Sequence, residues 1–375
     1  MVQFSSLFNG LANSMLCKSG KKDRTDVGRE AADVLAKEAG KNELMLSSPG
    51  IVNGEGSKNF ASFFSKRGQK GMNQDSFVVW QEFGCQEDMM FCGIFDGHGP
   101  WGHMVAKRVR KLMPSSLLCN WQETLALNPQ EDCTEKVLDR RSLNQFDIWK
   151  KSYFKTFSAI DQDLEQHPSI NSFHSGTTAS TIVRQGDLIV IANIGDSRAV
   201  LATISDDSIL VPVQLTVDLK PNLPQETERI KQCKGRVSSS EDEPGVYRVW
   251  LPGGETPSGP GLAISRAFGD HYIKGFGLIS EPEVTQRQIT CRDQFAILAT
   301  DGVWDVISNQ QAVEIVSSSP RREESAKRLV THAVRAWKRK KPGHAMDDIS
   351  AICLFFHSSS PSHSPDPIKL SAAGY

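Results

Sequence analysis

The stretch that most constrains this chain is Met89-Met90-Phe91-Cys92-Gly93-Ile94-Phe95, which passes straight into Asp96-Gly97-His98-Gly99. The apolar run reads as a buried strand over 89–95, and an ionised carboxylate at the end of a core strand is costly unless something compensates it. A divalent cation is the obvious partner. Glycine on either side of His98 lets the backbone turn tightly and approach a ligand. A helical pattern starts at Trp101, so the acid stands at a strand–helix junction. The alternative is that Asp96 merely caps that helix.

A second occurrence weighs against capping. Phe295-Ala296-Ile297-Leu298-Ala299-Thr300 ends on Asp301-Gly302, while Asp75 precedes Ser76–Trp80 and Asp347-Asp348 precede the run Ile349–Phe356. Two strands thus end on acids and two begin after them. In an antiparallel sheet the end of one strand lies beside the start of its neighbour, which gathers all four positions at one edge. Carboxylates so gathered repel one another and require cations. With oxygen donors and no Cys or His pair, Mg²⁺ or Mn²⁺ suits the set better than zinc.

Further strands are expected at 60–65, 77–83, 178–184, 187–193 and 198–203. Helices are expected at 101–113, with Val105, Val109 and Leu112 on one face and Pro114 as the stop, and at 145–166. In the latter, Phe146, Trp149, Tyr153, Phe157, Ile160 and Leu164 recur every three or four residues and read as core. Two more helices fall at 309–318 and 323–338, the second with Ala326, Leu329, Ala333 and Trp337 inward. Helix pairs separated by blocks of strands predict an α+β fold, an antiparallel sheet assembly with helices packed outside. Residues 219–262, rich in Gly, Pro and charge, contain a short helix at 226–230 and read either as a lid or as variable surface. One domain over 58–357 is expected between flexible tails at 1–57, with a short helix over 28–39, and at 358–375.

A net charge of −1 over 375 residues gives no basis for a nucleic-acid or membrane-surface partner. No apolar run reaches the length of a membrane span, no secretory signal pattern is present, and Val2 excludes N-myristoylation. Eight cysteines without a Cys-x-x-Cys pair read as reduced thiols of an intracellular protein, in cytoplasm, nucleus or both. Cys17, near Lys18, is a weak site for S-acylation, and Lys338–Lys341 reads as a solvated helix end rather than an import signal. None of the cysteines has an Arg six positions on, which excludes a cysteine-based phosphate cradle, and no Walker-type loop occurs.

Asn73-Gln74-Asp75, Asp96-Gly97-His98-Gly99, Ser175-Gly176-Thr177-Thr178-Ala179, Ala192–Ala199, Ser265-Arg266-Ala267-Phe268-Gly269-Asp270, Asp301-Gly302-Val303-Trp304-Asp305 and Asp347-Asp348 occur in this order. Together they resemble the metal-dependent serine/threonine protein phosphatase 2C family, in the form of its plant members, over about residues 58–357. The resemblance implies a β-sandwich of two antiparallel sheets, each covered by a pair of helices. It also implies a monomer that hydrolyses phosphoserine and phosphothreonine in phosphoprotein substrates with two Mn²⁺ or Mg²⁺ ions. In the implied roles, Asp96 bridges both metals, the Gly97 carbonyl binds one, and Asp301 and Asp347 complete the other. His98 protonates the departing oxygen. Asp75, Asp196, Asp305 and Asp348 are further acids, for contacts around these ions or for a third one, which stays open. The sequence also departs from the family pattern. Gln74 stands where Glu is frequent and brings no charge, Lys70 replaces a phosphate-gripping Arg, and Asp348 replaces Asn. Gln74 and Lys70 favour a catalytically silent scaffold as the alternative, and the intact Asp96, Asp301 and Asp347 oppose it.

Overall fold

In the computed structural model the described residues are 50–52, 60–127, 138–239, 243–253 and 261–357; the expected helix over 28–39 and the tail 358–375 lie outside them. Strand β1 (Gly50–Val52) pairs with β2 (Phe60–Lys66), so the first sheet starts within the segment assigned to a tail. The chain then crosses to a second sheet, where β3 (Asp75–Gln81) pairs with β4 (Met89–His98). Helices α1 (Gly102–Leu127) and α2 (Leu138–Gln166) follow, and β5 (Gly176–Thr177), β6 (Ala179–Gln185) and β7 (Leu188–Ile194) extend that second sheet. Residues 195–197 return the chain to the first sheet for β8 (Arg198–Ile204) and β9 (Leu210–Gln214). Then come α3 (Pro224–Gln232) and a separate hairpin of β10 (Arg236–Ser239) and β11 (Tyr247–Trp250). These lead to β12 (Phe268–Gly269), α4 (His271–Lys274) and β13 (Glu283–Gln288). Last are β14 (Asp293–Ala299), α5 (Asp301–Trp304), α6 (Asn309–Ser317), α7 (Ser325–Lys340) and β15 (Ile349–Phe355).

The first sheet has the order β1-β2-β15-β14-β8-β9 and the second β12-β5-β4-β6-β7-β13, with β3 also on β4. Consecutive residues of the central strands serve different layers, because side chains alternate across a strand. Ile182, Ile191, Leu201, Leu298 and Ile352 fill the space between the sheets. Their neighbours Val183 and Val190 face α1 and α2, packing in one cluster with Val109, Trp149, Tyr153 and Phe157. Val200, Ile297 and Cys353 face α6 and α7, with Val313, Leu329 and Trp337. Strands apolar on both faces read as unbroken hydrophobic runs, which explains their appearance in the sequence. The expected α+β sandwich is the observed one.

The helix expected at 145–166 begins already at Leu138, and three other differences from expectation have an identifiable cause. β4 continues past residue 95 to His98, because β5 pairs with its end, Gly97 opposite Thr177 and His98 opposite Gly176. The strand expected at 77–83 runs over Asp75–Gln81 instead, which makes Asp75 its first residue. Pro114 does not stop α1 but lies buried inside it. An interior proline costs about 3 kcal/mol, whereas burying large apolar side chains recovers roughly 2–3 kcal/mol each. Beyond Pro114, Leu117, Leu118 and Trp121 are all buried, Trp121 stacked on Trp149 at 4.9 Å. The packing wins.

Candidate active site

The four strand ends meet at one edge, as their polarity requires. Asp75 of β3 stands in register with Asp96 of β4. In the other sheet Ala299 pairs with Ala351, which brings Asp301 near the residues preceding β15. Two of the crossings between the sheets carry site residues: Lys70 in the segment between β2 and β3, and Asp196 between β7 and β8. Capping is excluded for Asp96, which lies within β4 while α1 begins only at Gly102.

Ser350 Oγ (2.6 Å) and Thr300 Oγ1 (3.1 Å) of the first sheet donate to Asp75 Oδ2, tying the two sheets together at this edge. The other oxygen, Oδ1, is buried without a partner. Burial pushes the Asp75 carboxyl up to about 7 against the hydrogen bond from Ser350, and the charges of Asp348 and Asp347 add to the rise. Asp96 and Asp301 are pushed well above the carboxylate range. Burial leads in both cases; then Asp301, Asp75 and Asp196 act on Asp96, and Asp196, Asp347 and Asp305 act on Asp301. The acids at this edge are partly buried and repel one another.

The backbone of Asp96 is clamped by two of the motifs. Thr178 N–H donates to its carbonyl at 2.9 Å, and its own N–H donates to Thr178 Oγ1 at 3.0 Å. Thr178 Oγ1 in turn lies 2.6 Å from Ser197 Oγ. Gly99 takes a φ of +82°, and a side chain there would meet the His174 carbonyl at 2.3 Å. The turn after His98 therefore needs glycine.

His98 Nε2 lies 2.5 Å from Oδ2 of Asp270, a carboxylate only 2% exposed. Burial lowers the imidazole's pKa, but the charge and hydrogen bond of Asp270 outweigh it and the net shift is upward. Asp270 N–H donates to the Ser175 carbonyl at 3.0 Å. A Cβ at Gly176 would sit 2.1 Å from Asp270 Oδ2 and 2.7 Å from His98 Nε2, so this pairing also depends on glycine there. The sequence reading assigned Asp270 no role. A signal was present, since Phe268-Gly269-Asp270 is again an apolar residue running into an acid, but a two-residue strand is too short to show a period.

Lys70 bonds Asp347 at the edge that carries the acids. Gln74 meets an acid of this edge through its backbone N–H, not through its side-chain amide. Its Nε2 donates to the Gly99 carbonyl at 2.9 Å and its N–H to Asp348 Oδ2 at 2.8 Å, so it braces the Asp96–Gly99 turn. Asp348 also takes the Gly68 N–H at 2.7 Å. Its carboxylate thus organises the loop that carries Lys70, a use the sequence did not reveal. Trp304 is core, with Nε1 donating to the Ala299 carbonyl at 2.8 Å. In the Lys338–Lys341 run, Lys341 bonds Asp305 at 2.6 Å and Lys340 the Val306 carbonyl at 2.8 Å, as a helix end would.

Glu226 of α3 fixes the segment leading to Asp270. Only 2% exposed, it accepts hydrogen bonds from Ser265 Oγ (2.6 Å), Arg266 (2.7 Å) and Arg229 (2.8 Å). Burial raises its pKa, but these partners more than reverse this and hold it at about 2, below the ordinary 4.5. A depressed carboxyl contributes stability above its unfolded value, and that stability is lost as pH falls through the folded value. Glu226→Gln is therefore expected to destabilise the protein by about 3–5 kcal/mol at neutral pH, as for a broken buried pair. The deficit against wild type should shrink between about pH 4.5 and 2 in denaturant melts. A pH-independent difference would contradict the charge-based account.

Among the described residues, no three Asp, Glu, His or Cys side chains converge closely enough to chelate an ion by themselves. Lys70 sits on Asp347, Lys220 on Asp196 and Lys341 on Asp305. Mg²⁺ keeps several waters and takes few protein oxygens rather than a closed cage, so the hard oxygen donors at this edge are of the type it takes. The unpartnered Asp75 Oδ1 and the repulsion among hard oxygen donors fit the same ions.

A two-sheet sandwich flanked by helix pairs, with buried carboxylates, a His–Asp pair and a lysine at one edge, defines the class of metal-dependent phosphatases. Residues 61–341 match the family model Protein phosphatase 2C. The chain is 61% identical over 361 residues to "Probable protein phosphatase 2C 73" of Arabidopsis thaliana, covering 96% of each. It is 62% identical over 366 residues to "Probable protein phosphatase 2C 34" of the same plant, covering 97% of this chain and 100% of that one. The crystal structure of serine-threonine phosphatase 2C from Toxoplasma gondii superposes with a TM-score of 0.70 at 26% identity, covering 82% of this chain and 96% of that one. The chain belongs to the protein phosphatase 2C family. It is a metal-dependent protein serine/threonine phosphatase, and its substrates are phosphoproteins. Among the described residues no helix is long and apolar enough to cross a membrane, and the six described cysteines are free thiols.

Proposed function

We propose that two Mn²⁺ or Mg²⁺ ions serve the reaction, held by Asp96, the Gly97 carbonyl, Asp301 and Asp347. Bound there, they lower the pKa of a water and offset charge on the phosphoryl oxygens. The observation that carries this reading is the placement of four strand-end acids from both sheets at one edge, with one oxygen of Asp75 left over. Asp75 braces Asp96 from the neighbouring strand and faces the ions. Lys70 grips the phosphate as a point charge, without the two-pronged fork of an arginine. His98, held by Asp270 and with its pKa raised, gives a proton to the departing Ser or Thr oxygen. Asp196 and Asp305 already carry Lys220 and Lys341, so much of their charge is offset within the chain. The catalytic unit spans 58–357 together with β1, which pairs with β2, the remainder of 1–57 and 358–375 being tails, and acts as an intracellular monomer in cytoplasm, nucleus or both.

The test is hydrolysis of a phosphothreonine peptide by the full chain, titrated with Mn²⁺ and Mg²⁺, beside an EDTA control and Asp301→Asn. Turnover is expected to require metal, and Asp301→Asn to weaken apparent metal affinity by about 10–100-fold, a loss of the size seen for residues supporting a metal site. Metal binding by calorimetry without any turnover would replace catalysis with the scaffold reading. No binding at all would remove the carboxylate-edge assignment.

A further inference from the structure

A cavity of about 540 Å³ opens between the start of α1 and the segment 165–173. Trp101, Ile170 and Phe173 give it apolar walls, and Glu165, Asn171 and His271 polar ones. Its volume falls within the ~300–1,000 Å³ usual for ligand sites. Single exposed aromatics are ordinary on a protein surface, but here two line one cavity, Trp101 41% and Phe173 53% exposed. The Phe173 ring is fixed against His174 at 4.7 Å and near Tyr272 at 6.3 Å, so its wall is preformed. His271 turns Nδ1 toward Ser172 Oγ at 3.1 Å, while its buried Nε2 faces Asp161 Oδ1 at 3.9 Å.

We propose that this cavity is a substrate-docking site. It takes one apolar side chain, preferably aromatic, about three residues from the phosphoserine or phosphothreonine of a protein substrate. The proposal rests on the phosphatase reading and extends it to sequence preference. The occupant follows from the cavity's continuity with the catalytic edge. Trp101 N–H donates to Ser175 Oγ at 2.8 Å, and the carbonyl of the same Ser175 takes the Asp270 N–H. His271 adjoins Asp270 in sequence, so one cavity wall is covalently joined to the residue that holds His98. Trp101 follows His98 by three virtual bonds of about 3.8 Å, which places their Cα atoms within ~11 Å of each other. An extended chain covers ~3.3–3.6 Å per residue. A substrate with its phosphate at Lys70 and His98 therefore reaches the cavity with a side chain about three positions away. Aromatic anchors commonly dominate recognition energy.

The experiment uses the full chain with Mn²⁺ and three kinds of substrate. They are p-nitrophenyl phosphate, a phosphothreonine peptide with only alanine flanks, and the same peptide with one tryptophan moved through the four positions on either side. Tryptophan at one or two positions is expected to lower KM about tenfold. Trp101→Ala and Phe173→Ala, tested separately, should each remove most of that gain and leave kcat/KM for p-nitrophenyl phosphate within about twofold. No favourable tryptophan position, or a gain that survives both substitutions, would overturn the docking site. So would an equal loss on all three substrates, which would give these side chains a role in the fold or the chemistry instead. Failure of the wild-type chain to hydrolyse p-nitrophenyl phosphate would strike the phosphatase reading beneath the proposal, and is distinguishable from every other outcome.

Discussion

Asp96→Asn is expected to lower phosphopeptide turnover on the order of a thousandfold or more, the size seen when one preorganised electrostatic group is removed from a reaction centre. The fold should survive. Asparagine keeps the side-chain volume, and the clamp that holds residue 96 uses its backbone N–H and carbonyl with Thr178. The strand pairing opposite Asp75 is also untouched. Because the lost charge was buried among Asp301, Asp75 and Asp196, the EDTA-treated variant should melt at the wild-type temperature or above it. Adding Mn²⁺ should then raise the wild-type Tm, since a ligand that binds only the native state stabilises it, and should raise the variant's far less. Retained turnover would remove Asp96 from the centre. Loss of turnover together with a collapsed melt would make its role structural.

The second large effect concerns the leaving group. His98→Ala should slow hydrolysis of a phosphoserine peptide by roughly 10²-fold, the lower end for a positioned general acid. It should slow p-nitrophenyl phosphate much less, because that phenolate departs without a proton. Asp270→Asn should show the same substrate pattern in weaker form. The amide retains a hydrogen-bonding atom beside His98 Nε2 but not the charge that favours the imidazolium. The double variant should be no worse than His98→Ala alone, since residues acting as one unit do not add. Equal losses on the two substrates would deny His98 the acid role. Additive losses would separate Asp270 from it.

Both experiments address groups of unequal visibility in the sequence. Asp75, Asp96, Asp301 and Asp347 could be placed at one edge beforehand because each lies at the end of a long apolar run, and strand polarity is a local property. The helix faces were equally plain: Trp149, Tyr153, Phe157, Ile160 and Leu164 are all buried at the expected spacing. The stop at Pro114 failed because it weighed a local backbone cost without the Trp121–Trp149 stack, a contact between two helices.

The sequence by itself determined antiparallel strand blocks with helices packed outside and four acids at one edge, since these follow from short-range periodicity and strand polarity; the two-sheet sandwich was implied by the family resemblance. Tertiary structure decided which residues serve which acid. His98 meets Asp270 across 172 positions, through strands of two residues that carry no period of their own. Of two adjacent acids, only folding shows that Asp348 binds backbone N–H groups while Asp347 meets Lys70. Successive side chains around a strand end point in different directions, and the neighbours that each direction meets come from elsewhere in the chain.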